Sequence, residues 1–160
     1  MFDDETTTFL QSGCALIVGT VAPDGMPHAA RAWGLDVEER GPFPVLRLLL
    51  DVDDQVTLDS MVAGGRVAVT ATSVRNLRSM QLKGRSLGLD PDRPDDQERA
   101  DRYTEQFFAD ITETDGTDPE LLESFRPFGV RPCRLRVEER FVQTPGPEAG
   151  VRIDTADAGA

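Results

Sequence analysis

Lys83 is the only lysine of the chain, in a run where Met80 and Leu82 alternate with Ser79, Gln81, Lys83 and Arg85. Alternation with period 2 puts those four polar residues on one face of a strand. Thr70 and Thr72 share a face of an earlier strand by the same spacing. An inward or interfacial lysine needs a negative partner, either a ligand phosphate or a structural carboxylate. Arg31 poses the same choice. Trp33, on the same strand face as Arg31, is read as core packing ahead of stacking on a ligand ring. Such residues bind and orient a ligand.

Other chemistry is scarce. With one histidine, His28, no hydrolytic triad assembles, and His28 beside a turn reads as a solvated side chain rather than a proton donor. Metal sets of the His₂-carboxylate or Cys₄ kind cannot be made. The glycines form no Walker or dinucleotide fingerprint. Cys14 and Cys133 lie far apart among apolar residues and read as buried free thiols.

The elements that must position these residues are mostly strands. Residues 14–21 are short, apolar and β-branched, and Ala22-Pro23-Asp24-Gly25 makes a turn into a second strand over 28–37. A third strand covers 45–50. Asp53 or Asp54 can cap a short helix over 55–63, which Gly64-Gly65 stops. Strands follow over 66–72 and about 78–87. Ala100, Tyr103, Phe107 and Ile111 then recur at helical spacing, an apolar docking stripe on a charged rod. Asp118-Pro119 caps a second short helix, and the last strand covers about 132–142. Six short antiparallel strands protect their edges by closing, so the expectation is a mainly β protein, a small antiparallel barrel with helices after the third and fifth strands.

At 160 residues, 39% hydrophobic and 29% charged, this is the composition of one folded domain. The domain is expected over 1–147, with a helical insert at about 90–127 and a flexible C-terminal tail over 148–160. The net charge of −12 argues against general nucleic-acid binding and against an anionic membrane surface. No run approaches the roughly 20 apolar residues of a spanning helix. The acidic start differs from a signal peptide, so a cytoplasmic location is expected. The charge is uneven. Residues 89–125 hold thirteen acids against Arg93, Arg99 and Arg102, whereas residues 60–88 hold no acid and carry Arg66, Arg75, Arg78, Lys83 and Arg85.

The order of these elements resembles the pyridoxamine 5′-phosphate oxidase-like, FMN-binding split-barrel family. The resemblance rests on the hairpin LIVGTVAPDGMPH (16–28), the strand ARAW (30–33), and the passage from Thr57-Leu58 to Gly65-Arg66-Val67-Ala68-Val69. It continues through QLKGR (81–85) and FVQTPGP (141–147). It implies a six-stranded antiparallel split β-barrel, and a homodimer with two flavin sites at the subunit interface.

By that resemblance Arg31 is a phosphate-binding arginine, and Trp33, Thr70, Thr72, Ser79, Gln81, Lys83 and Arg85 are cofactor-binding candidates. The implied function is an FMN-binding oxidoreductase acting on an unknown small molecule. The flavin carries the chemistry, so no protein nucleophile is required. A deazaflavin coenzyme is the alternative, with Arg75 and Arg78 as a basic track for its acidic tail. A non-catalytic dimeric ligand-binding module is the third reading. Two departures stand out. Asp53-Asp54 occupies the place of the family's usual basic pair, and the C-terminal signature of the true oxidase is missing.

Overall fold

Alternating burial runs through most of the strands, as expected of sheets with one face on a core. The computed structural model describes residues 1–153. Its strands are β1 (Ala15–Val21), β2 (Pro27–Glu39), β3 (Val45–Asp51), β4 (Arg66–Thr72), β5 (Ser79–Leu89) and β6 (Val130–Val142). They form a closed antiparallel barrel in the order β1-β2-β3-β6-β5-β4. The split-barrel expectation therefore holds: the last strand inserts between β3 and β5, and β4 closes on β1.

The helices are α1 (Asp4–Leu10), α2 (Gln55–Ser60), α3 (Asp96–Asp115) and α4 (Pro119–Glu123). No helix among the described residues is long and apolar enough to cross a membrane.

Inside the barrel, Leu16, Val18, Leu48, Val69, Leu82 and Leu135 pack as one core. Helix α1 was not legible in advance. Asp3 caps it by accepting from the Thr6 N–H at 2.7 Å, and Phe2, Phe9 and Leu10 join the core. Tyr103 of α3 ties that end down, donating to the Leu10 carbonyl at 2.8 Å and accepting from the Cys14 N–H at 3.1 Å. A second apolar cluster, Trp33 with Phe107, Phe108 and Leu122, seats α3 and α4 on the outside of β2.

Strand β3 departs from alternation. It is buried on both faces because α3 and its approach cover the outside. That coverage buries Arg47, which meets Asp90 at 3.2 Å and Asp96 at 2.9 Å. At the other end of the chain, residues expected as flexible tail begin by pairing. Gly150 donates to the Val142 carbonyl, and Ile153 to that of Arg140. The rest of that expected tail, 154–160, lies outside the described residues.

Both cysteines are free and buried. Burial pushes the Cys133 thiol up to about 12, from about 8.5 in an open chain. Above pH ~8.5 the unfolded chain loses this proton while the folded one keeps it. Stability therefore falls as pH rises toward the folded value, by about 1.4 kcal/mol per pH unit. Urea midpoints at two pH values on either side of the open-chain value test this. Cys133→Ala is expected to lose less stability than the parent over that interval; an equal loss in both removes Cys133 as the cause.

Candidate functional site

The ladder registers line up side chains from different strands in rows across the outer face of β2, β1, β4 and β5. Arg31 opposes Ile17, Ile17 opposes Thr70, Thr70 opposes Gln81, and Gln81 opposes Phe141. The next row runs Ala29, Gly19, Ala68, Lys83 and Glu139. Arg66 opposes Arg85 in the row beyond. In the middle row Ala29 is exposed and Gly19, Ala68 and Lys83 are half-buried. Its floor is Gly19, Ala29 and Ala68, and a Cβ built on Gly19 would meet only the Ala68 carbonyl at 3.9 Å. The result is a shallow strip with an apolar residue, Ile17, two uncharged polar ones, Thr70 and Gln81, and cations along its sides.

The cations of this strip differ from the rest of the chain. Almost every other arginine is matched to a carboxylate, as Arg47 is to Asp96 and Arg134 to Glu38. Among the described residues, those in no ion pair are Arg31, Arg66, Lys83 and Arg140, and three of these four lie on the strip. Arg140 has other partners, the Met1 carbonyl and the Phe2 ring.

Arg31 sits 5.2 Å from the centroid of the Phe107 ring, and its buried Nη1 has no hydrogen-bond partner among the described residues. Burial lowers its pKa, since desolvation disfavours the charged form. Lys83 Nζ lies 4.5 Å from the Phe141 ring centroid. Gln81 Nε2 donates to Thr70 Oγ1 at 3.2 Å, leaving its carbonyl oxygen and second N–H for another partner.

Arg31, Thr70, Gln81, Lys83 and Arg85 are thus brought onto one face. Three other candidates are not open to it. Trp33 is buried edge-on against Phe108, with ring centroids 6.2 Å apart. Thr72 and Ser79 bond each other at 2.9 Å, and Ser79 is buried under the Thr144 segment. Sequence reading missed Arg66, although it alternates with Thr70 and Thr72 and therefore shares their face. It also missed Gly19 and Ala68, whose part is to be small.

One of the two acids at α2 has a local explanation. Asp54 caps the helix, accepting from the Thr57 N–H at 3.1 Å and the Thr57 hydroxyl at 2.6 Å. His28 is only partly exposed, with Nε2 3.4 Å from Asp54 Oδ1. Neither Asp53 nor Asp54 makes an ion pair with a cation of the strip. The proposed track of Arg75 and Arg78 is engaged elsewhere: Arg75 bonds Asp110 at 2.8 Å and also Glu113, and Arg78 meets Glu5 at 2.9 Å.

Solved structures share this barrel. The fold is the split barrel. HupZ of Group A Streptococcus aligns over 94% of this chain and 100% of its own, at 15% identity and a TM-score of 0.57. A Lactobacillus delbrueckii protein assigned as a pyridoxamine 5′-phosphate oxidase aligns over 88% and 93%, at 16% identity and 0.52. An F420 reductase aligns over 87% and 98%, at 16% identity and 0.54. No family model and no curated protein sequence matches the chain. At these identities the likeness is one of fold, and the split barrel leaves function to the side chains on its face.

Proposed function

We propose that this face binds a phosphate-bearing flavin, FMN, and that the protein is a small flavin-dependent oxidoreductase working on an unidentified small molecule. The observation that carries the reading is Arg31, whose buried Nη1 has no hydrogen-bond partner and which makes no ion pair among the described residues, in a chain of net charge −12. Unpaired cations repel one another and are retained where an anion is to be held. The F420 reductase and the assigned oxidase among the fold's relatives support a flavin-type coenzyme.

The residues present fit such a group. The orphaned Arg31 Nη1 would take a phosphate oxygen, with Phe107 holding the guanidinium plane from behind. Ile17 and the Gly19-Ala68 floor leave room for a flat ring, and Gln81 offers it one acceptor and one donor. When bound, the flavin supplies the hydride or electron transfer. The protein's part is to orient the ring and exclude water. Ile17 is 43% exposed and Val21 50%, so a second copy of the chain is the proposed cover of this face, which would place two sites in one homodimer.

Titration of the purified protein with FMN, followed by flavin fluorescence, tests the proposal. Saturable binding is expected, weakened about tenfold in Arg31→Met, which loses one charge-assisted contact. Gly19→Val is expected to fold, since valine suits a strand and the space is open, yet to block the ring. A parallel titration with the deazaflavin coenzyme serves as control: preference for it over FMN replaces the named coenzyme, and binding of neither overturns the reading.

A further inference from the structure

The cations of the strip point to opposite ends of it. Arg31 is pinned against Phe107 of α3, on the β2 side, at 5.2 Å. Lys83 is pinned against Phe141 of β6, on the far side, at 4.5 Å. Their strands are three steps apart in the sheet, about 14 Å at the usual spacing of neighbouring strands. A single phosphate held by Arg31 therefore leaves the other end without an anion.

That other end has its own hollow. A cavity of about 380 Å³ lies over Val21, Gly19 and Ala68, with Arg66, Lys83 and Arg85 around it, and Arg31 takes no part in its lining. Its volume suits a small organic molecule. Two carboxylates also line it, Glu138 and Glu139; Glu139 is drawn to an arginine outside it, and Glu138 to one outside and to Arg85. Glu139 meets Arg152 at 3.1 Å, although it lies directly opposite Lys83 in the ladder. Glu138 meets Arg136 at 3.4 Å and Arg85 more loosely, at 3.8 Å. The charges left to the hollow are those of Arg66 and Lys83, beside an apolar floor.

We infer that this hollow is a second anion seat, separate from that of Arg31, which takes a small molecule with a carboxylate or phosphate at one end and an apolar body. That the molecule is the substrate rests on the flavin reading above; that the seat binds an anion does not. Lys83 and Arg66 grip the anionic end, and the body lies along Val21 at the edge of the Gly19-Ala68 floor, beside the place proposed for the ring.

Calorimetric titration with benzoate and with phenyl phosphate, each on the protein alone and on protein saturated with FMN, tests this seat. At least one probe is expected to bind under both conditions, and the better one names the anionic group. Lys83→Met and Arg66→Met each weaken it about tenfold, while Arg31→Met leaves it within about twofold and weakens FMN instead. Met keeps the aliphatic stem, and Lys83→Gln supplies a second variant should Lys83→Met fold poorly. Three results overturn the inference: neither probe binding, equal weakening by Arg31→Met, or displacement of the probe by FMN, which would make the strip one site for one ligand. Probe binding without any FMN binding sinks the flavin reading and leaves the seat standing.

Discussion

Arg47→Ala is expected to destabilise the fold by about 3–5 kcal/mol, the range for breaking a buried ion pair from one side. Arg47 is 1% exposed, in the middle of a strand whose apolar side chains are all buried. It donates to Asp96 at 2.9 Å, to Asp90 at 3.2 Å and to the Pro91 carbonyl at 3.0 Å. Asp96 is itself 5% exposed, accepts from the Arg93 N–H at the same oxygen, Oδ2, and has no partner for Oδ1 among the described residues. Removing the guanidinium leaves that carboxylate buried and uncompensated, with a void where the arginine stem had packed.

The same contacts clamp the start of α3 to the barrel, so the loss is not confined to one strand. Urea unfolding gives the free-energy change, and amide exchange in the first turns of α3 is expected to quicken more than in β4. The double variant Arg47→Met with Asp96→Asn separates charge from packing. It removes both charges, and is expected to recover a large part of what the single change loses. A double variant as unstable as the single one would mean that packing, not the buried charge, dominates.

Arg47 also marks where sequence reading stops. Val45-Leu46-Arg47-Leu48-Leu49-Leu50 reads as a strand from its apolar run, and an arginine in such a run is ordinarily placed on a wet face. Its burial depends on Asp90 and Asp96, which come from more than forty positions away in the acidic stretch. Composition showed those acids only as a charged rod. The barrel strands were legible because apolar runs, alternation and turn residues are local signals. So were α4, from Asp118-Pro119, and α2, from Asp53 or Asp54. Helix α1 was not, since one short turn of Thr6, Thr7 and Thr8 carries little helical propensity and is held by burial of Phe9 and Leu10. For the site, period 2 placed Thr70, Gln81, Lys83 and Arg85 on one face. It could not place Trp33, because a register shift lies between Ala32 and Gly34, where α3 comes down on the sheet.

The β5 sequence contains a further dependence that is local in the chain and non-local in space. Gly84→Ala is expected to cost about 3 kcal/mol or more, at or beyond the upper end for overpacked positions. A Cβ at this glycine would lie 1.9 Å from the Arg136 carbonyl oxygen and 2.9 Å from its carbon. Those atoms are backbone and cannot rotate away, so β5 and β6 must separate. Here the ladder slips: Lys83 opposes Glu139 while Gly84 opposes Val137, leaving Glu138 as the extra residue. Bulges of this kind bend a strand and re-aim its side chains. Glu138 is thereby turned to the rim beside Arg85, and Lys83 is set against Phe141. Glycine at 84 is what allows β6 to approach closely enough for both.

Gly84→Ala therefore should act twice, lowering the urea midpoint and weakening anion binding at Lys83, whereas Gly19→Ala, with open space above it, should leave the midpoint within about 0.5 kcal/mol of the parent. Equal midpoints for the parent and Gly84→Ala would show that β6 can yield at the bulge. The hollow beside Lys83 would then owe its shape to the side chains alone.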